Sequence, residues 1–463
     1  MKYLPEEDII VALSSPLGSG AIAIIRVSGR ACLTLINPLL KKTLDADDAR
    51  RARFNEFCAA GSGAAVDQVV TTYFKAPASY TGEDLVEISC HCNPLIIERI
   101  IGEIVHRGAR VAEPGEFTFR AFMNGKMDLS QAEAVAGIIN ARSRQSLTQS
   151  LRHLEGRLSE RIFAIREQIL GFLALIEISL DFSEEEIEVL PLDELKIRLT
   201  ETIAQIERLL DTYDYGRLLQ EGIKLLILGK PNVGKSSLLN ALLQRDRAIV
   251  SEIPGTTRDY IEASLELDGL AVQAVDTAGI RHTEDLVEAI GVERALKQLE
   301  SADVALAVFE SQRELEADDR ALLEIIKQHG ADVNFVLVQN KADLGQSASA
   351  VAALGELNLP LVAISARTGE GIDGLKQAIK NEIFRDSSIE SEEVVVTSAR
   401  HKRALEGTIT ALRNALEAVD LRASEEVLAV DVRLALDSLG EITGETTSED
   451  VLNHIFANFC IGK

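Results

Sequence analysis

The stretch Leu225-Leu-Ile-Leu-Gly-Lys-Pro-Asn-Val-Gly-Lys-Ser-Ser237 decides how the middle of this chain folds. The apolar run ending at Leu228 reads as a strand, and Ser237–Leu243 opens a helix. Between them, Gly229 to Ser236 fits the spacing G-x-x-x-x-G-K-[ST] of a phosphate-binding loop in the context that motif requires. Glycines let backbone N–H groups curl round phosphate oxygens, and the helix N-terminus adds positive potential. Asn232, Val233, Gly234, Lys235, Ser236 and Ser237 are therefore candidate nucleotide contacts. Lys235 is placed to neutralise β- and γ-phosphates and the Ser236 hydroxyl to ligate Mg²⁺.

Working outward, apolar strand candidates (Lys224–Leu228, Ala271–Asp276, Val304–Phe309, Asn334–Gln339, Leu361–Ile364) alternate with helical stretches. That alternation predicts a parallel sheet covered by helices over residues 217–384. Further motifs fall on its strand ends. Asp276-Thr277-Ala278-Gly279 brings Asp276 near the Mg²⁺ and the Gly279 N–H near a γ-phosphate. Asn340-Lys341-Ala-Asp343 offers a carboxylate to the N1–H and exocyclic amine of guanine, a donor pair that adenine lacks. Ser365-Ala366-Arg367 offers the Ala366 N–H to guanine O6. Gly255-Thr256-Thr257-Arg-Asp259 supplies Thr257 as a second Mg²⁺ ligand that senses the γ-phosphate. Five motifs in this order imply a GTP-binding domain. Where many regulatory GTPases carry a water-orienting Gln after the Gly, this chain has Ile280, so hydrolysis needs another group. Glu284, Asp285 and Glu288 are the acids at hand.

The flanks read differently. No proline lies between Pro114 and Pro191, nor after Pro360, so long helices can run there. Apolar residues at three-and-four spacing from Ser130 to Leu180 predict an amphipathic helical segment, as do Leu192–Leu210, Ala404–Ala418, Glu425–Leu439 and Ser448–Phe459. Two helical blocks thus bracket the nucleotide block and are candidates to pack as one domain. Residues 1–115 carry short β-like runs (Ile9–Leu13, Ala21–Val27, Gln68–Phe74, Asp84–Cys90) broken by Gly, Pro and Ser, which favours an α+β domain. The acidic run Glu184–Glu186 reads as a solvated loop or helix start.

Composition bounds the partners. The chain of 463 residues has 48 Lys and Arg against 73 Asp and Glu, a net charge of −25, which argues against a general electrostatic clamp on nucleic acid or an anionic membrane. Trp is absent and aromatics are 4%, so wide base-stacking platforms are not expected. No apolar run reaches the ~18 residues of a membrane span, and the start MKYLPEED does not read as a signal peptide. Five sparse cysteines (Cys32, Cys58, Cys90, Cys92, Cys460) imply reduced thiols and a cytoplasmic setting.

The phosphate loop, the Gly255–Asp259 segment, the helical embedding and the tail Phe459-Cys-Ile-Gly-Lys463 together resemble the MnmE (TrmE) family of tRNA-modification GTPases. Ala23-Ile-Ile-Arg-Val-Ser-Gly29, Tyr80-Thr-Gly-Glu-Asp84, Pro114-Gly-Glu-Phe-Thr-Phe-Arg120 and Asn124-Gly-Lys-Met-Asp-Leu-Ser-Gln-Ala-Glu133 extend the resemblance along essentially the whole chain. It implies a multidomain protein: an N-terminal α+β domain (1–124) that dimerises and binds folate, a helical domain from two chain segments (125–216 and 385–463), and an inserted α/β P-loop GTPase domain (217–384). It further implies a partnership with the flavoprotein MnmG (GidA) in a heterotetramer. Together the two would add a carboxymethylaminomethyl group to C5 of the wobble uridine of certain tRNAs. A (6S)-5-formyltetrahydrofolate-type donor and FAD on the partner would do the carbon chemistry, and GTP hydrolysis would drive the complex.

Residue by residue, the resemblance makes Asn232 a side-chain ligand of K⁺, completed by the Ser251 and Ile253 carbonyls and Thr256. The whole segment Ser251-Glu252-Ile253-Pro254-Gly255-Thr256-Thr257 then belongs to the GTP site. Glu288 matches the catalytic acid that orients water; Arg26, Glu87, Lys126 and Lys463 match positions at the folate, and Cys460 the tail thiol that modification requires. Cys90-His-Cys92 has metal-type ligands, but strand neighbours face opposite ways, so a partly buried strand end is expected there. The rival readings are a ribosome-assembly GTPase, which would carry a basic RNA-binding domain or a second nucleotide domain, and a slow regulatory switch, which Ile280 would suit.

Overall fold

The computed structural model describes residues 8–16, 18, 20–181, 191–245, 264–267, 269–275, 298–330, 333–384, 394–457, 459 and 461–462. The segment 182–190 with its acidic run lies outside them, as do residues 251–257 and 276–288 of the nucleotide motifs and Cys460 and Lys463 of the tail. Its contacts group into two compact units: Met1–Ile139 with Arg152–Ile206 and Arg403–Lys463, and Asn140–Leu151 with Glu207–Lys402. Among the described residues no helix is long and apolar enough to cross a membrane.

The first unit holds a six-stranded sheet in the order β3-β4-β5-β2-β1-β6. Its strands are β1 (Ile10–Leu13), β2 (Ile22–Ser28), β3 (Ala52–Cys58), β4 (Ala65–Phe74), β5 (Leu85–His91) and β6 (Arg110–Val111). Period-two patterning sorts its faces. Ala23, Ile25 and Val27 of β2 pack on the helices α1 (Cys32–Ile36) and α2 (Pro94–His106) through Ile36, Ile97, Ile100 and Ile104. Ile10, Ala12 and Leu85 point the other way and meet Phe117 of α3 (Glu116–Met123). Four strands fall close to where the sequence puts them. The edge strand β3 does not show in the sequence, because only Asn55 and Phe57 of Ala52–Cys58 are buried and charge interrupts the rest. Asn93-Pro94 starts α2: the Asn93 side chain accepts the Leu95 N–H at 2.9 Å, and Pro94 occupies the first turn, where its missing N–H costs nothing.

An ion cluster buried at Arg120 and Glu116 ties α3 to the sheet. The Arg120 guanidinium, 7% exposed, donates to Asp8 at 2.5 Å, to Glu116 at 3.0 Å and to Glu83 at 3.2 Å, and Arg110 reaches Glu116 at 2.5 Å and Asp8 at 2.6 Å. Every charge has several partners, which a buried ion needs if its desolvation is to be offset.

The sequence expectation of one helical run from Ser130 to Leu180 resolves into three helices: α4 (Leu129–Asn140), α5 (Arg144–Leu154) and α6 (Arg157–Asp181). Gly156, with φ +87°, makes the second break, where Gln131 Nε2 donates to the Leu154 carbonyl at 3.0 Å. Leu147 and Leu151, which continue the apolar stripe on paper, are 39% and 44% exposed. Beyond the break, Leu158, Ile162, Ile165, Ile169, Phe172 and Ile176 of α6 are buried. The helix α7 (Leu192–Leu210) has the bounds that its periodicity predicts. Three C-terminal helices follow at Ala399–Asp420, Glu425–Thr443 and Glu449–Ala457. The second of them runs antiparallel to α6, since Arg166 pairs with Glu445 at 2.6 Å, Glu177 with Arg433 at 2.8 Å, and Ser179 with Glu425 at 2.5 Å. The two separated helical blocks therefore do pack together. Phe456 and Phe459 close this side of the unit, Phe456 meeting Phe119 of α3 edge to face at 5.3 Å.

The second unit is built on a sheet in the order β12-β11-β10-β7-β9-β8. Its strands are β7 (Ile223–Leu228), β8 (Ser264–Leu267), β9 (Leu270–Val275), β10 (Val304–Glu310), β11 (Asn334–Asn340) and β12 (Leu361–Ala363). All pairs are parallel except the β8–β9 hairpin, which the sequence reading does not include. After α8 (Tyr213–Glu221), the helices α9 (Lys235–Arg245) and α12 (Ile372–Ile383) cover one face, while α10 (Ala317–His329) and α11 (Ala348–Gly355) cover the other. The strand order reverses between β7 and β10, and ligands of such sheets bind beyond the carboxyl ends at that reversal.

Asp8 gives this fold an acid limit. Burial opposes its charge, but the Arg120 and Arg110 hydrogen bonds override that and hold its carboxyl below the usual range. Its contribution is thus complete above the ordinary carboxylate value of 3.8 and is lost as pH falls through the lower folded value. Denaturant titrations between neutral pH and about pH 3 should show Asp8→Asn less stable at neutrality and with a flatter decline below about pH 4; parallel curves for the two proteins would remove Asp8 from the acid response.

Candidate nucleotide site

Three loops converge at the carboxyl ends of β7, β11 and β12. The first leaves β7 at Gly229, whose φ of +150° and closeness to the next strand exclude a side chain: a Cβ there would lie 2.6 Å from the Val308 carbonyl. Asn232 at the crest adopts φ +60° and is exposed, whereas Val233 is fully buried and anchors the loop. The Lys235 ammonium turns back across the loop and donates to the Gly229 carbonyl at 2.6 Å and the Lys230 carbonyl at 2.9 Å. Burial lowers its pKa, so partial desolvation makes this cation receptive to an anionic partner. Ser236 and Ser237 lie in the first turn of α9, with the free N–H groups of the helix start around them.

The second and third loops are fastened to the first by one side chain. Asn340, 2% exposed, donates Nδ2 to the Val233 carbonyl at 2.9 Å and accepts the Ala366 N–H on Oδ1 at 3.0 Å. Gly234 makes room for this brace, since a Cβ on it would stand 2.2 Å from Asn340 Nδ2. Ser365 is fully buried, and its hydroxyl bond is the main reason the Asp343 carboxyl sits below its usual pKa, followed by the nearby Arg367 guanidinium at 2.8 Å. Asp343 is thereby held ionised, an acceptor only. Lys341 takes φ +63° and pairs with Glu310 at 3.2 Å. The sequence offers the Ala366 N–H to a base oxygen; here it is already given to Asn340, so a base could only share it. The braces made by Asn340 and Ser365 escape the sequence reading, because a motif names residues without saying which of them hold the others.

The other candidate set lies on the first unit's sheet. Arg26 and Glu87 are cross-strand neighbours on β2 and β5, joined at 2.8 Å, and the Arg26 guanidinium lies 5.4 Å over the Tyr80 ring. Arg26 Nη1 is buried without a hydrogen-bond partner, which marks a donor free for a ligand acceptor. Lys126 reaches the Pro77 carbonyl at 3.1 Å. The tail comes to the same end of the sheet: Ser14 donates to the Gly462 carbonyl at 2.9 Å, and a Cβ on Gly462 would lie 2.2 Å from the Leu13 carbonyl, one residue from Ala12, the partner of Arg26. Cys90 is buried with its thiol pushed up to about 11 by that burial, while His91 is exposed and pairs with Asp67 at 2.8 Å. Among the described residues no group of three or more His, Cys, Asp and Glu is arranged to hold a metal ion.

Comparison with known proteins covers the chain from end to end. Residues 9–126 match the family described as GTP-binding protein TrmE N-terminus, and residues 129–460 that described as MnmE helical domain. Proteins named tRNA modification GTPase MnmE from Moorella thermoacetica and Carboxydothermus hydrogenoformans are 43% and 42% identical over 99% of this chain and 100% of theirs. That of Geotalea uraniireducens is 40% identical over 99% of both. A solved FeoB G-domain from Methanococcus jannaschii covers 35% of this chain and 97% of its own at 22% identity with a TM-score of 0.26, too slight a likeness to bear on the fold. With matches of this length at both ends and throughout, the chain belongs to the MnmE family of tRNA modification GTPases.

Proposed function

We propose that this chain is a K⁺-dependent GTP hydrolase that acts in tRNA modification. The observation that carries the nucleotide part is the Asn340 brace, which holds the Lys235 loop and the Asp343 loop as one site. The relatives' name supplies the tRNA part. On this reading Asp343 accepts the two guanine donors, Lys341 flanks the base, and Lys235 meets the β- and γ-phosphates. The donor chemistry fits hard cations: Ser236 with Thr257 would hold Mg²⁺, and Asn232 with Ser251, Ile253 and Thr256 would hold K⁺. When bound, K⁺ supplies the positive charge beside the phosphates that other GTPases take from an arginine finger. Glu288 orients the attacking water.

For the first unit we propose a folate site at Arg26, Glu87, Lys126 and Lys463, supported by the unpartnered Arg26 Nη1. A folate there supplies the one-carbon unit, with FAD on the flavoprotein MnmG as redox partner and Cys460 as the required thiol. The domain scheme is 1–124, 125–216 with 385–463, and 217–384. Exposed Ile22, Phe54 and Val70 on one sheet face support a homodimer through the first of these, joined by MnmG in a heterotetramer in the cytoplasm.

Three outcomes are expected. Asp343→Asn swaps an acceptor for a donor, so xanthine nucleotides should gain over GTP by on the order of 10³; an unchanged GTP preference in competition titrations removes Asp343 from the base pocket. GTP turnover should be faster in KCl than in NaCl, and Asn232→Ala should erase that difference while Mg²⁺·GTP binding persists, because Lys235 and Ser236 remain. Equal turnover in both salts sinks the K⁺ reading and leaves the switch reading standing. Mass spectrometry of tRNA nucleosides from cells lacking the protein should show the C5 group missing from wobble uridine, and Cys460→Ser should fail to restore it while hydrolysing GTP normally. Restoration by that variant makes Cys460 an ordinary thiol.

A further inference from the structure

We propose that Lys230 is a positioning residue for the phosphate site, acting through its own backbone carbonyl, and that Asp319 at the start of α10 is its anchor. The proposal rests on the GTP reading and adds a residue whose side chain points away from the nucleotide. Lys230 is an unspecified position of the loop motif, yet its side chain is only 9% exposed. Its ammonium donates to Asp319 Oδ2 at 2.8 Å and to Glu316 Oε2 at 2.9 Å. Asp319 is 4% exposed, and the same Oδ2 accepts the Glu316 N–H at 3.0 Å. The anchor is rigid because α10 buries Leu322, Leu323 and Ile326 against the sheet.

The consequence lies on the other side of the peptide. The Lys230 carbonyl is one of the two that receive the Lys235 ammonium. The Lys230 carbonyl belongs to the Lys230–Pro231 peptide, and the glycine that precedes Lys230 leaves the backbone on that side free to rotate. With its side chain held by Asp319 from behind, Lys230 keeps its carbonyl aimed at Lys235. Without that hold the peptide can turn, the ammonium loses half of its cradle, and the cation for the β-phosphate is no longer preorganised. The effect belongs to phosphate binding and not to base reading, which Asn340, Asp343 and Ser365 govern on separate loops.

The test is titration of the full chain with fluorescent GDP and GTP, alongside thermal unfolding without nucleotide. Lys230→Met should weaken both nucleotides equally, by roughly tenfold, the scale of coupling between groups in contact. Lys230→Arg should recover most of that loss, and preference for guanine over xanthine should not change. Asp319→Asn should give the same phenotype, and the double variant Lys230→Met with Asp319→Asn should be no worse than either single one. Affinities within twofold of the parent while unfolding temperature falls would show a merely structural pair and overturn the proposal, as would additive losses. If the parent chain binds neither nucleotide, the GTP reading fails and the clamp falls with it; if the parent binds and the variants bind equally well, only the clamp fails.

Discussion

The contact of the Asn340 side chain with the Val233 carbonyl, over a glycine that could carry no side chain there, is the constraint on which the nucleotide site depends. Phosphate and base loops come from β7 and β11, which are not neighbours: β10 lies between them. A sheet fixes its strands but leaves the loops beyond them free, so something must set the distance between the two. Asn340 does so with both ends of its amide, and its Nδ2 end meets the Val233 carbonyl, which would otherwise be buried unpaired at a cost of about 1–3 kcal/mol. The brace is thus enforced by the penalty for its absence more than by its own strength.

The same logic runs through the first unit. Its ion cluster is buried at Arg120 and Glu116, so Arg120 is bound on several sides by Asp8, Glu83 and Glu116. Arg26 differs, with Glu87 on one nitrogen, an aromatic ring beneath it and one buried N–H unanswered.

Sequence and structure part company for identifiable reasons. The central sheet is legible because β10 and β11 are buried on both faces and read as unbroken apolar runs. The edge strands β3 and β8 are not, since Ala52, Arg53 and Phe54 of β3 are exposed and polar residues interrupt its pattern, and β8 has only four residues. The break at Gly156 is hidden because Leu154 and Leu158 keep helical spacing across it, so the periodicity survives where the backbone does not. The motif residues of the site are readable one by one; the Ser365 hydroxyl that keeps Asp343 ionised, and the carbonyls that cradle Lys235, are visible only once the loops are side by side.

The antiparallel partnership of α6 with the helix Glu425–Thr443 has a consequence during synthesis. The apolar face of α6 leaves the ribosome complete at Asp181, but the helix that covers it is complete only at Thr443, roughly 260 residues later. At about 5–20 residues per second the wait is on the order of 10–50 s. In that interval the whole inserted sheet, from β7 to β12, emerges and can close on contacts of its own. The nascent chain therefore carries a finished nucleotide unit while α6 is still a sticky, half-clad helix. Its final helices act as a seal applied last, and a chain stalled or truncated before residue 425 would keep that helix bare to chaperones and to other chains.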